Sequence, residues 1–519
     1  MDYHVVVSVN WPVYFEVTMT MFGDLNKPFT LVLGLGESGL AMARWCHTQG
    51  CRVRVADTRH TPANLAALHE ISTDIEFISG AFNLALLQDI ELIGISPGLS
   101  IHDPAIVTLL EQAKANAIPV WGEIEFFAQA LHHLQQHHAY TPQLIAITGT
   151  NGKTTVTQLT GKICAQAGKK VAIAGNISPS ALAKLAACIA EQSYPDIWVL
   201  ELSSFQLSTC YSLNPDVATV LNISEDHLDW HASFEEYVQA KANIFAPHTI
   251  QVLNREDKRV MAMTRQNQPF ITFGLDVPQS VGDLGVLNDN DIAWLAYADN
   301  NDEDQTHIKR QQKTTRSEIH IQRLMPSEAL TIRGPHNILN ALCSLALARS
   351  LNLPFAALLH GLRIYQGEPH RLQSVAIIHQ VEYIDDSKGT NVGATLAALN
   401  AIAPNKKIIL IAGGVAKGQD FSPLAPVLAR SARALLLIGQ DRLLIEQTLI
   451  KQINGAVPFV HCSSLPDAVQ RAAELAQSGD VVLLSPACAS FDMFRDYVDR
   501  AQCFIDAVRD LKMAAGEIL

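Results

Sequence analysis

Charge is sparse in this 519-residue chain: 17% of its residues are Asp, Glu, Lys or Arg, and they leave a net charge of -13. Nucleic-acid polymers and anionic membranes are held by spread cationic patches, so neither is expected as a partner. Any anionic small molecule has to be gripped by a few local cations and backbone amides. The nine cysteines are scattered, with no two in a Cys-x-x-Cys pair. That excludes a disulfide framework and the common zinc spacings, and it suits a reducing cytoplasm. No apolar stretch approaches the ~20 residues that cross a bilayer. Residues 1–28 carry Asp2, Glu16 and Asp24 and lack a basic start followed by an unbroken apolar run, so no signal peptide is expected. They read as an extension without an assigned role. No solenoid-type repeat occurs.

What is present is a chain 48% apolar, long enough for about three domains at roughly 150 residues each. From Phe29 onward short apolar runs alternate with helical patterns, the mark of α/β architecture with largely parallel sheets. The expected units are residues 29–138, 139–366 and 367–519: a Rossmann-like domain, a central P-loop-type ATP-binding α/β domain and a second Rossmann-like α/β domain. Strands are read at FTLVL in the first, at LIAIT in the second, and at VEYI, IILIAG, ALLLIG and DVVLLS in the third. Residues 299–318 are polar and aperiodic, a solvated loop inside the second unit. His132, His133, His137 and His138 lack an accompanying carboxylate or cysteine and read as a polar helix end before a linker.

The strongest chemical signal is LIAITGTNGKTTVTQL, a glycine turn between an apolar strand and an amphipathic helix. There backbone amides and the helix dipole hold phosphate. Lys153 can reach the β and γ phosphates and the Thr154 hydroxyl can ligate magnesium, although Ile147 stands where the general P-loop spacing has glycine. Glu201 ends the strand of DIWVLELSSFQL, where an acid beside a P-loop suits Mg²⁺. Asp226, His227, Asp229 and His231 cluster after the strand VATVLNIS, where open α/β sheets place ligands, though some of them serve only to cap or turn the chain. Ser233 and Glu236 form a capping box for the next helix. On that helix Lys241 falls on the apolar stripe of Phe234, Tyr237, Val238 and Phe245. Such a lysine either snorkels to water or is buried with a lowered pKa, as a neutral amine open to reaction or modification.

In family order the chain carries GTNGKTT, ELSSFQL, NISEDHLDWH, AKANIF, GPHNILNA and PHR, and from Phe29 to the end it resembles the Mur ligase family. The resemblance implies that Gly149, Thr150, Asn151, Gly152, Lys153, Thr154, Thr155, Asn337 and Arg371 bind ATP as substrate. It assigns catalysis to Lys153, Glu201, His227 and Lys241, with two Mg²⁺ ions served by Thr154, Glu201, His227 and a carbamylated Lys241. The third-unit motifs DDSKGTN, GGVAKGQDFSPL and LSPACASFDMF look like the D-glutamate-adding branch, which places Lys388, Thr390, Lys417, Ser490 and Phe491 at the amino acid. Two cations and two hydroxyls among them match the two carboxylates of D-glutamate. In the first unit GLGESG (Gly34, Gly36, Gly39) with Asp57 has dinucleotide-fold spacing, which alone would suggest NAD. The resemblance implies UDP-N-acetylmuramoyl-L-alanine instead, with Ser38, Asp57, Thr58, Arg59, Ser96, Gly98 and Asn176 lining it. Glu37, inside the loop, suits a diphosphate only if it turns away. In Asn176's loop Ser178-Pro179-Ser180 follows where the family usually has glycine. The implied activity is ATP-dependent ligation through an acyl phosphate, in a cytoplasmic monomer. A nicotinamide dehydrogenase would leave GTNGKTT and Glu201 unused, and a non-catalytic nucleotide-binding regulator would not need Lys241 on an apolar face.

Overall fold

A computed structural model describes residues 26–516 apart from 228–229, 266–267, 301–318, 404–405, 454 and 456. Most of the extension, Asp229 and most of the polar 299–318 segment therefore lie outside the described residues.

Three sheets follow one another along the chain. The first contains β1 (Thr30–Leu33), β2 (Val53–Asp57), β3 (Glu76–Ser79), β4 (Leu92–Ile95) and β5 (Val120–Gly122), all parallel, in the order β3-β2-β1-β4-β5. Helices cover both faces, so β1 reads as an unbroken apolar run. The order reverses between β1 and β4, opening a crevice at their carboxyl ends, where such sheets bind ligands. Into it feed the glycine loop after β1 and Ser96–Gly98 after β4.

The second sheet holds β6 (Gln143–Thr148), β7 (Val171–Gly175), β8 (Ile197–Glu201), β9 (Val217–Val220), β10 (Ile250–Asn254), β11 (Phe270–Phe273), β12 (Leu284–Asp289), β13 (Ile292–Asn300) and β14 (Ile319–Pro326). Their order is β14-β13-β12-β11-β10-β9-β6-β8-β7. Here β6 lies between β9 and β8, so the loops after all three strands converge on one end of the sheet. The edge departs from the expected parallel plan, because β12, β13 and β14 pair antiparallel. Asp299 and Asn300 close β13 instead of opening the loop: cross-strand pairing to His320 and Ile319 overrides their polarity.

The third sheet comprises β15 (Gln373–Ile378), β16 (Val381–Asp385), β17 (Ile408–Gly413), β18 (Ala432–Ile438), β19 (Phe459–His461) and β20 (Val481–Leu484), ordered β15-β16-β20-β17-β18-β19. The edge strands β15 and β19 were not expected. Both are half exposed; β15 opens on polar Gln373 and Ser374 and pairs antiparallel with β16, and β19 is only three residues long, so neither stands out as a buried parallel strand. One apolar core runs through the first unit into the second, from Val32 and Trp45 through Phe127 and Leu134 to Trp198 and Tyr237. The cores around the third sheet contain residues of that unit alone.

Candidate active site

The phosphate loop begins where β6 ends. Ile147 is fully buried and paired in register with Glu201, so the sheet extends past the position where a general P-loop would turn. The turn falls at Gly149, whose φ of +151° and approach to Leu221, 2.9 Å from where a Cβ would stand, admit little but glycine. Gly152 caps the helix Lys153–Gln166 without a side-chain bond, which leaves the first amides of that helix for an anion. Asn222, after β9, braces the loop: its Oδ1 accepts from Asn151 N at 2.8 Å and its Nδ2 donates to Asn151 O at 3.0 Å. The Thr150 hydroxyl lies 2.8 Å from Tyr237 Oη. Thr154 and Thr155 are buried at the start of the helix. Lys153 folds back, its Nζ donating to the Gly149 and Thr150 carbonyls at 2.9 Å each, and burial lowers its pKa.

Lys241 arrives at the same carbonyl from another element. It lies on the helix Phe234–Ala242, 2% exposed, with Nζ donating to Gly149 O at 3.0 Å and standing 4.6 Å over the Tyr237 ring. The head group does not snorkel to water; burial, then Lys153, pushes its pKa well below the lysine range. Asp226 and Glu201 are the anions that oppose this shift. Two sequence expectations for this helix are corrected. The helix ends at Ala242, before Phe245. Ser233 Oγ does accept from Glu236 N at 3.1 Å, but the Glu236 carboxylate takes Ala232 N at 3.0 Å and His102 Nε2 at 2.6 Å, so the reciprocal half of the capping box is replaced by a tie to the first unit.

Glu201 is 2% exposed at the end of β8. Asn176 Nδ2 donates to its Oε1 at 3.0 Å, while Oε2 is buried without a hydrogen-bond partner among the described residues. A buried carboxylate oxygen with free lone pairs fits a cation. His227, held in the left-handed region at φ +54°, packs its ring against Phe205 at 4.8 Å, with Nε2 3.6 Å from Asp226 Oδ2. His231 turns from the cluster and is buried against Ser204 Oγ at 2.9 Å. Among the described residues no three His, Cys, Asp or Glu side chains stand close enough to hold a metal.

Asn337, in the helix Pro335–Ser350, is buried and already engaged, its Nδ2 donating to Arg333 O at 2.8 Å and its Oδ1 accepting from Asn340 at 3.0 Å. Arg371 carries a buried Nε without a partner among the described residues, and its charge is felt at Lys153, Lys388 and Asp386. In the first unit, buried Asp57 accepts from Leu35 N at 2.7 Å and from Arg59 Nε and Nη2 at 2.8 and 2.7 Å; the Arg59 bond first of all holds its pKa near 2. Ser96 Oγ donates to Gly34 O at 2.8 Å, and a Cβ on Gly39 would stand 1.9 Å from that carbonyl. Ser38, Thr58 and Gly98 lie on the partly or fully exposed surface around this crevice. Glu37 reaches to the second unit, where its Oε1 accepts from Ser178 Oγ at 2.9 Å.

In the third unit, Lys388 Nζ stands 5.2 Å over the Tyr497 ring, and burial lowers its pKa to about 8. Thr390 N donates to Lys388 O at 3.0 Å. Ser490 is buried, whereas Lys417 is exposed at φ +51° and Phe491 is 69% exposed. Asn391 Nδ2 reaches back to Asn151 Oδ1 at 3.1 Å and links this unit to the phosphate loop. Sequence reasoning passed over the residues that hold the site together: Asn222, Tyr237, Asn391, Asp386 and Arg500. Arg500, 1% exposed, donates to Ser387 Oγ, Ser387 O and Cys488 O. Buried Asp386, pushed up to about 7 by burial, accepts from Ser485 Oγ at 2.7 Å. For Asn222 and Asp386 the available signal was a polar residue beside a strand end, which sequence alone cannot tell from an ordinary turn; Tyr237 and Arg500 lie within helices and carry no such mark.

Sequence patterns of three domain families cover the chain: the MurD-like Mur ligase N-terminal domain at residues 29–122, the Mur ligase middle domain at 147–348 and the Mur ligase glutamate ligase domain at 370–488. The chain belongs to the Mur ligase family. Among its relatives is the UDP-N-acetylmuramoylalanine--D-glutamate ligase of Cupriavidus metallidurans, 54% identical over 512 residues that cover 96% of this chain and 99% of that one. The enzyme of the same name from Ralstonia nicotianae is 53% identical over 504 residues, covering 96% and 100%. Two solved structures share the fold. MurF of Thermotoga maritima in complex with ADP has a TM-score of 0.55 at 15% identity, covering 94% of this chain and 97% of that one, and MurC of the same organism 0.53 at 18%, covering 93% and 100%. No helix among the described residues is long and apolar enough to cross a membrane.

Proposed function

We propose that this chain joins D-glutamate to UDP-N-acetylmuramoyl-L-alanine at the expense of ATP, giving UDP-N-acetylmuramoyl-L-alanyl-D-glutamate, ADP and phosphate, as a cytoplasmic monomer in peptidoglycan synthesis. The convergence of Lys153 and Lys241 on the Gly149 carbonyl, beside a Glu201 with one open buried oxygen, carries the reading. Residues 29–138 bind the UDP-sugar, 139–366 bind ATP, and 367–519 bring D-glutamate.

A carboxylate is too poor an electrophile for an amine to attack at neutral pH. The L-alanyl carboxylate therefore attacks the γ-phosphorus of ATP and expels ADP, with Lys153 and the amides of Gly149–Thr155 compensating charge on the transferring phosphoryl group. The D-glutamate amine then attacks the acyl phosphate and releases phosphate, its two carboxylates held by Lys388, Lys417, Thr390 and Ser490. Thr154, Glu201, His227 and a carbamate on Lys241 would hold two magnesium ions, which when bound neutralise phosphate charge. Burial keeps the Lys241 amine neutral; its nitrogen can add CO₂ and release one proton, so a neutral amine becomes an anionic ligand.

The test is phosphate release by the purified protein supplied with ATP, magnesium, the UDP-sugar and one amino acid at a time. Release that requires both UDP-N-acetylmuramoyl-L-alanine and D-glutamate is expected. Equal release with L-alanine or a diamino acid as acceptor would overturn the assignment.

A further inference from the structure

Glu37 is an acid inside the loop that should meet a diphosphate, and the reaction gives it no task. Its Oε1 accepts from Ser178 Oγ at 2.9 Å and from Ser180 N at 3.3 Å, both in the second unit. Ser180 is the N-cap of the helix Ala181–Ala190, and two residues on Leu182 N donates to Oε1 of Glu123, a fully buried acid of the first unit. Two carboxylates thus cross from one unit to take up leading amides of one helix in the next, where unpaired N–H groups and the dipole favour anions. The other end of the same short segment is Asn176. Its backbone N donates to Glu201 O at 2.7 Å and its Nδ2 to Glu201 Oε1 at 3.0 Å.

We infer that Glu37 is a positioning residue: by gripping Ser178 and Ser180 it holds Asn176 against Glu201, and so aims the open Glu201 oxygen from the rim of the diphosphate loop. The inference rests on the proposed reading of that loop as the UDP-sugar site and of Glu201 as a magnesium carboxylate. It also explains the Ser-Pro-Ser sequence after Asn176-Ile177, because Ser178 supplies a hydroxyl donor that glycine could not.

Substitution separates this role from that of an acid merely lying near a diphosphate. Removing such an acid would tighten UDP-sugar binding and leave turnover unchanged. If Glu37 positions the loop, Glu37→Ala lowers kcat about tenfold, as a small misalignment of reacting groups does, and raises the magnesium concentration needed for half-maximal rate. Glu37→Gln, whose amide oxygen still accepts both bonds, should recover most of that loss. Ser178→Ala should lower kcat about threefold and add little to Glu37→Ala, since the two share one interaction. Binding of the UDP-sugar, followed by calorimetry without ATP, should not tighten in any of these variants. Wild-type kcat in Glu37→Ala, or fully additive losses in the double variant, would overturn the inference. Should Glu37→Ala fail to fold, Ser178→Ala decides, and wild-type kcat in it would overturn the inference. A wild-type protein that never uses D-glutamate would instead overturn the proposed function, a separate failure.

Discussion

The two junctions of this chain are built differently. Between the first and second units the contacts are dense and mostly buried. A single apolar core crosses the boundary, Glu125 accepts Tyr211 N and Ser212 N at 2.6 and 2.9 Å, Gly122 N donates to Thr209 O at 2.9 Å, and Trp230 Nε1 donates to Pro97 O at 3.1 Å. The third unit keeps its own cores and reaches the second through sparser polar links, Asn391 to Asn151 and Arg333 to Glu382 at 3.2 Å. Units that share a core move together, whereas units joined by polar links separate and close. On the proposed assignment, the UDP-sugar and phosphoryl groups are framed by a prebuilt half and D-glutamate is brought by the other, an arrangement that suits a reaction whose acyl phosphate must be shielded from water.

The largest effect should come from the prebuilt half. Lys241→Ala is expected to lose kcat by about a hundredfold or more, the scale for removing one group that compensates transition-state charge, with its unfolding profile retained. Lys241→Arg should do no better, since a fixed cation cannot become an anionic ligand. Added acetate should partly restore Lys241→Ala by occupying the vacated anionic position. Near-normal turnover of Lys241→Arg at saturating magnesium would return the residue to a structural lysine.

Next come the acceptor lysines, on the half that moves. Lys388→Ala and Lys417→Ala each remove a cation proposed to face a D-glutamate carboxylate, about 1.5–3 kcal/mol for a charge-assisted bond. D-Glutamate KM should rise accordingly while ATP binding stays intact, and unchanged KM in both variants would misplace the acceptor site. Lys388 adds a pH dependence. Its pKa is lowered to about 8, so its charge fades as pH climbs through that value and D-glutamate KM should climb with it. In Lys388→Arg, whose guanidinium stays charged, that rise should vanish.

Legibility follows the same division. The glycine turns, the strand ends and Lys241 were readable because each breaks a local rule: glycine at positive φ, an acid closing an apolar strand, a cation on an apolar stripe. The fold of the first unit was readable because its central strands β1 and β4 are buried on both faces. The antiparallel edge of β12–β14 and the strands β15 and β19 were not, since an apolar run does not reveal the direction in which a strand pairs and half-exposed edge strands lack the full burial of central ones. Hidden too were Asn222, Asn391 and the Glu37–Ser178 tie, because each partner lies far off in sequence and is an ordinary polar residue until the units pack. A pair such as Asn151 and Asn391 has no signature in composition or period.

The smallest effect concerns the stitched junction and sharpens the contrast by pH. Glu123 is fully buried; its Oε1 accepts from Leu182 N, its Oε2 has no hydrogen-bond partner among the described residues, and burial raises its pKa from an ordinary 4.5 to about 7. Within that window the folded protein keeps a proton that the unfolded chain has released, so stability falls as pH rises from about 4.5 to about 7. Above it both states are ionised and the loss stays constant. Glu123→Gln keeps an oxygen to accept from Leu182 N and removes the titration. The variant should therefore match the wild type in acid and exceed it in denaturant midpoint at neutral pH and above. That gain belongs to the transition that unfolds the first and second units together, and the transition of the third unit should not respond. Parallel pH slopes for wild type and Glu123→Gln would exclude this carboxyl as the source. A gain shared equally by both transitions would show that the third unit unfolds with the other two, and the contrast between the junctions would be lost.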